Sequence, residues 1–163
     1  MSDCHHWRTK VAVGSWQVAC SGLLACPPGD VASWESPPAA GFYLDPAWRD
    51  VLADVPWSAR FVEWPDRGVI RTQELGLLVG TIAHEMADGR TVEIACVGGH
   101  GRTGTLLATL IARLEGLDAA SALRIVRERY CTAAIETLGQ IALLYRALGE
   151  EPPPLDAFAS RNG

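Results

Sequence analysis

Cys96 and Arg102, separated by five residues, carry the reactive potential of this chain. Between them lies Val97-Gly98-Gly99-His100-Gly101, and Thr103 and Gly104 follow directly. A thiolate is a strong nucleophile, and a guanidinium presents a planar fork that fits two phosphate oxygens. Glycines let backbone amides converge on an anion at low steric cost. The spacing therefore predicts a phosphate-binding loop made by the amides of Val97, Gly98, Gly99, His100, Gly101 and Arg102. The Arg102 side chain closes it, and a tetrahedral oxyanion sits over the Cys96 sulfur. The His100 side chain should point away from that anion.

The flanking segments position the loop. Residues 92–96 are short, apolar and rich in β-branched side chains, as a buried strand should be. Residues 105–114 form an apolar helix, with Gly116 just past its end where a left-handed stop is cheap. A strand that runs through glycines into a helix N-terminus makes an anion site, because unpaired amides and the helix dipole both favour negative charge. There the thiol of Cys96 should fall from about 8.5 into the neutral range or below. Thr103 could donate its hydroxyl to the sulfur and make it a better leaving group. The blander readings are a small buried cysteine and ordinary turn glycines. A nucleotide-binding loop is disfavoured, since Thr105 stands where it needs lysine.

Cys-x5-Arg-Thr-Gly between a strand and a helix resembles the signature of the cysteine-dependent protein tyrosine and dual-specificity phosphatases. Trp64-Pro65-Asp66 resembles the family's mobile loop that carries the general acid. Glu136-Thr137-Leu138-Gly139-Gln140 resembles the segment whose glutamine places the hydrolytic water. The three occur in the family's order. The resemblance implies hydrolysis of phosphate monoesters through a phosphocysteine, with no metal and no cofactor. Cys96 would attack phosphorus, Asp66 would serve as acid and then base, Arg102 and the amides would hold the oxygens, and Gln140 would orient water. The implied substrate is phosphotyrosine, or phosphotyrosine plus phosphoserine and phosphothreonine, in proteins. The alternatives are a phosphoinositide, a nucleotide or an RNA 5′-phosphate, or a catalytically weak phosphate-binding module. One departure stands out: Ala95 occupies the position before the cysteine where most of the family has histidine.

The 163 residues fit one domain, and apolar content near half with modest charge is ordinary for a globular chain. The net charge of −5 gives no global attraction for nucleic acid or anionic membrane. Positive potential must then be local, from Arg102 and the amides, helped by Arg60, Arg67 and Arg71. Five cysteines without a secretory signal argue against a disulfide framework and for a reduced cytoplasm. No stretch approaches 18 apolar residues. Cys4, His5 and His6 with Cys20 and Cys26 fit no common zinc spacing. The expected partner is a phosphorylated protein, and the expected state is a monomer.

Residues 1–9 read as a loose leader and 152–163 as a mobile tail. Residues 10–19 alternate as one or two strands. Residues 20–41 form a long Pro, Gly and Ser-rich connection with a short strand at 23–25. Asp45 should cap a helix running to about residue 54, with Pro46 at its first position. Residues 59–64 read as a strand. Residues 72–88 read as a helix capped by Thr72, with Leu75, Leu78, Val79, Ile82 and Met86 on one face and His84 solvated. Asp118 should cap a helix over 119–130, with Arg124, Arg127 and Arg129 on a basic face. A last helix spans 137–148. Helices before and after the central strand predict an α/β fold, a mainly parallel sheet covered on both faces. The site then falls at a strand's carboxyl end.

Overall fold

Strand β1 (Thr9–Val13) and β2 (Trp16–Gly22) form an antiparallel hairpin turned at Gly14, whose φ is +56°. Three further strands, β3 (Ala40–Tyr43), β4 (Ser58–Phe61) and β5 (Val92–Cys96), complete a five-stranded sheet in the order β1-β2-β5-β3-β4. Apart from the hairpin every pairing among the described residues is parallel. This computed structural model describes residues 4–27, 31 and 34–154. Strand β5 lies between β2 and β3, with Val92 beside Val18 and Ala40. A parallel strand paired on both edges and covered on both faces is buried throughout, which explains its near-continuous apolar run.

The helices are α1 (Trp48–Val51), α2 (Thr72–Ala87), α3 (Gly101–Glu115), α4 (Ala119–Arg129) and α5 (Leu138–Ala147). Helices α2, α4 and α5 all pack on α3. Every residue of α3 from Gly101 to Ala112 is consequently buried. Leu106, Leu107, Leu110 and Ile111 are fully enclosed, so truncating any one to alanine should cost about 2–5 kcal/mol. The side chains of β5 alternate. Val92, Ile94 and Cys96 join the main core with the helices, whereas Ala95 joins Tyr43, Trp48 and Leu52 on the other face. The short α1 and the rings of Trp7, Trp34, Trp57 and Phe61 cover that second face.

Several elements depart from their sequence reading. Residues 23–25 form a 3-10 turn rather than a strand, because Cys26 N–H bonds the carbonyl of Leu23. Helix α1 is one turn long. Asp45 does not cap it; its Oδ1 instead accepts from Ala47 N–H at 2.8 Å in a preceding turn. Strand β4 stops at Phe61. Helix α2 begins at Thr72 itself, with Arg71 at the cap position and no side-chain cap. Leu78 is only half-buried on that helix. Helix α3 starts four residues earlier than predicted, at Gly101. The predicted stop at Gly116 (φ +67°) and the Asp118 cap on Ser121 N–H, at 2.7 Å, are present. Residues 4–8, read as leader, pack against the body: His6 is buried and Arg8 N–H donates to Ser21 Oγ at 2.9 Å. Of the predicted tail, 155–163 lie outside the described residues.

Candidate active site

The loop between β5 and α3 is held from outside by its carbonyls. Cys96 C=O accepts from Trp48 Nε1 at 3.1 Å, and Val97 C=O from Leu24 N–H at 3.1 Å. Gly99 C=O accepts from the Tyr130 hydroxyl, and His100 C=O from Gly104 N–H at 2.8 Å. In a planar trans peptide the N–H points opposite to the C=O. Each outward carbonyl therefore sets the next amide on the inner side, which covers Val97, Gly98, His100 and Gly101. The Gly99 amide donates to Cys96 Sγ at 3.2 Å. Gly99 holds φ +77°, a conformation costly for any residue with a Cβ. A Cβ on Gly22 would lie 2.8 Å from the Gly98 carbonyl carbon, so the end of β2 must be glycine for the loop to settle on it.

Arg102 occupies the first turn of α3 with its side chain 2% exposed. Its Nη1 donates to Leu44 C=O at 3.1 Å, Trp64 C=O at 2.8 Å and Asp45 Oδ2 at 2.6 Å. Its Nη2 donates to Asp66 Oδ1 at 3.1 Å. Asp45 is thus a site residue that sequence reasoning missed. Its reading as a helix cap accounted for it fully, and no local spacing betrays a partner 57 residues away. Arg60 and Arg67 are exposed, and Arg71 is exposed beside Glu74 at 3.9 Å.

Asp66 itself is 74% exposed. It heads a tight turn in which Gly68 N–H bonds Pro65 C=O at 2.9 Å, with Arg67 at φ +56°. Trp64 anchors this turn, being buried and donating Nε1–H to Gly68 C=O at 2.9 Å. Gln140 Nε2 reaches the same carbonyl at 3.4 Å. Buried Gln140 also completes a capping box: Thr137 Oγ1 accepts from Gln140 N–H, and Gln140 Oε1 accepts from Glu136 and Thr137 N–H. It lies against the loop, since a Cβ on Gly101 would meet its amide at 2.9 Å. Thr103 is placed differently from expectation. Its buried hydroxyl makes no hydrogen bond to the Cys96 sulfur or to any other described group.

Ala95 leaves room on its face of the sheet for Tyr43 and Trp48. Beside it, Glu93 is fully buried and accepts from Ser21 Oγ at 2.7 Å and the Tyr43 hydroxyl at 2.9 Å, with Arg8 Nε 3.6 Å away. Burial pushes its carboxyl above the usual range, while Ser21, Arg8 and Tyr43 pull it back. The basic face of α4 is largely committed. Arg127 bonds the carbonyls of Ala134 and Ile135, Arg129 pairs with Glu115, and Arg124 pairs with Glu128. His84 is solvated, 3.5 Å from Asp88.

No family model matches the chain. It is 40% identical over 77 residues to the uncharacterized protein MJECL20 of Methanocaldococcus jannaschii, a match covering 47% of this chain and 50% of that one. The chain spans about half the length of the curated relatives it matches. The crystal structure of Tk-PTP in its active form superposes with a TM-score of 0.68 at 22% identity, covering 86% of this chain and 97% of that one. Kinase associated phosphatase (KAP), in a form with its catalytic cysteine substituted by serine, superposes at 0.71 with 14% identity, covering 89% and 95%. A mostly parallel five-stranded sheet, with the Cys96–Arg102 loop joining its middle strand to a buried helix, gives this chain the fold of the cysteine-dependent protein tyrosine and dual-specificity phosphatases.

Proposed function

We propose that this chain is a cysteine-dependent phosphatase that hydrolyses phosphate monoesters, most fittingly phosphotyrosine or a mixed set of phosphorylated residues in proteins. The observation that carries this reading is the convergence of Cys96, the outward-tied loop and Arg102 with Asp66, from a segment 36 residues upstream, held at the Arg102 guanidinium. In the first step Cys96 sulfur bonds to phosphorus as the bond to the leaving oxygen breaks, and Asp66 protonates that oxygen. In the second, water attacks phosphorus, its proton passes to Asp66, and the sulfur–phosphorus bond breaks to release inorganic phosphate. The Gly99 amide favours charge on the sulfur in both its roles. Arg102 and the inner amides neutralise the equatorial oxygens. Phosphate would draw Nη2 from Asp66, freeing the carboxyl to reach the leaving group, while Nη1 stays fixed by its carbonyl partners. The Gln140 amide, beside the loop and bonded to the Asp66 turn, would orient the water in this reading.

A second reading has two observations behind it. Arg102 already carries two carboxylates, and Ala95 supplies no imidazole, so the loop could bind phosphate with little turnover. An aryl phosphate assay on wild type and Cys96→Ser separates the two. Turnover in wild type with none in the variant supports the phosphatase. Phosphate binding without turnover in either favours the module.

A further inference from the structure

Behind the phosphate loop, on the side away from the anion, four side chains with no assigned role converge. Cys4 and His6 come from the segment ahead of β1, His100 from the loop itself, and Cys131 from just beyond α4. One donor atom from each lies within 4.8 Å of all the others. Cys131 Sγ is 3.4 Å from Cys4 Sγ and 3.5 Å from His100 Nδ1. The His6 ring stacks edge-on to His100 at 5.0 Å and against Tyr130 at 4.3 Å. His6 Nε2 is buried and makes no hydrogen bond to any described group.

We propose that Cys4, His6, His100 and Cys131 form a closed structural site for a zinc-class divalent ion. Tetrahedral zinc with bonds of about 2.3 Å to sulfur and about 2.0–2.1 Å to nitrogen has donor–donor edges of about 3.3–3.8 Å. Two edges already have that length, and the rest, all within 4.8 Å, need to close by at most about 1.5 Å. Two thiolates and two neutral imidazoles neutralise the ion, and each cysteine releases its proton on binding. Two soft and two borderline donors suit zinc and exclude calcium or magnesium, which take oxygen. The ion would give the orphaned His6 nitrogen a partner. Four filled positions leave none for substrate, so the ion would be structural and not catalytic.

The site's position defines its effect. His100 C=O caps the first turn of α3 through Gly104 N–H, Tyr130 bonds Gly99 C=O, and His6 C=O accepts from Gly22 N–H at 2.8 Å. Metal would clamp the N-terminal segment, the loop and the end of α4 together. The loop's shape would then depend on metal content, whatever chemistry the loop performs.

The site was hidden in the sequence because its ligands come from three places, the farthest 127 residues apart. Cys20 and Cys26, the obvious partners by number, are not among them.

The test is metal stoichiometry and cobalt spectroscopy on the full chain purified under reducing conditions. Wild type should hold about one zinc per chain. Cobalt exchange should produce the visible and near-ultraviolet bands of a tetrahedral two-thiolate, two-imidazole centre. Cys131→Ser and His6→Ala should each weaken cobalt binding by more than the roughly 10–100-fold that loss of an outer-shell partner costs. Cys26→Ser should leave it unchanged, and circular dichroism checks that each variant folds. Folded wild type that binds neither zinc nor cobalt, or that joins Cys4 and Cys131 in a disulfide under the same conditions, overturns the proposal. So does cobalt binding indifferent to Cys131→Ser. None of these readouts depends on phosphatase turnover.

Discussion

Arg102 and Asp66 share a 3.1 Å charged hydrogen bond whose two ends lie in opposite surroundings, the guanidinium 2% exposed and the carboxylate 74%. The buried end is fixed by carbonyls and by Asp45; the exposed end is free to leave. A bond with one solvated partner contributes at most about 1 kcal/mol to stability. Asp66→Ala should therefore leave the urea midpoint nearly unchanged. Turnover of an ester with a poor leaving group should fall by about 10²–10⁴, with phosphate affinity kept. Equal turnover in variant and wild type would remove the acid role.

Asp45 answers to the opposite logic. It is 17% exposed and 2.6 Å from Arg102. Asp45→Ala strips a largely buried charge of its closest counter-charge, which costs about 3–5 kcal/mol where burial is complete and somewhat less here. Chemical denaturation should show a loss of about 2–4 kcal/mol, well above that for Asp66→Ala. Similar losses for the two variants would mean that burial does not govern this pair.

Gly99 is the loop's conformational pivot. Gly99→Ala should cost about 1–2 kcal/mol from its φ of +77° alone. The new Cβ also lies 3.2 Å from the Tyr130 hydroxyl. As the same residue's amide meets Cys96, alkylation of Cys96 by iodoacetamide should slow alongside the stability loss. Alkylation at the wild-type rate would show that the amide does not tune the sulfur.

Glu93 sets a pH dependence. Burial makes its carboxyl easier to protonate in the folded chain than in the unfolded one. Its contribution to stability is then complete below the ordinary carboxylate value and is lost as pH climbs through the raised one. Glu93→Gln keeps partners for Ser21 and Tyr43 and should flatten that decline. Urea unfolding across a pH series measures it, and an equally steep decline in the variant would exclude Glu93 as the source.

Gln140 has two roles that one pair of variants can separate. Gln140→Glu retains an acceptor for the capping box and loses the donor to Gly68 C=O. Gln140→Ala loses both. The alanine variant should be less stable by about 1 kcal/mol, and the glutamate variant close to wild type. Slowed breakdown of a phosphocysteine in both variants is the result expected if the side chain also orients water, read by trapping the phosphoenzyme with a fast-leaving ester.

Local order in this chain was legible where one segment suffices to decide it. Residues 92–96 are a strand because a short, mostly apolar run with β-branched Val92 and Ile94 suits a fully enclosed strand. Asp118 starts a helix because its carboxylate meets an amide three residues on. Gly116 ends one because a left-handed residue costs glycine little. The Cys96–Arg102 loop was readable for the same reason, since its strand, glycines and helix are contiguous. Everything that depends on distant segments had to wait for the fold. Asp45 looked like a cap because its neighbours account for it, and only the β3–β5 pairing brings it to Arg102. Thr103 follows the loop directly in sequence, but the first turn of α3 buries its hydroxyl without a partner among the described residues. The segment at Cys4 and His6 reads as a loose leader until Gly22, His100 and Cys131 are set around it. Sequence alone determined which residues have reactive chemistry, because that is a property of side-chain type and near spacing. The tertiary structure decided which charges oppose one another and which donors share a centre, because those depend on long-range packing.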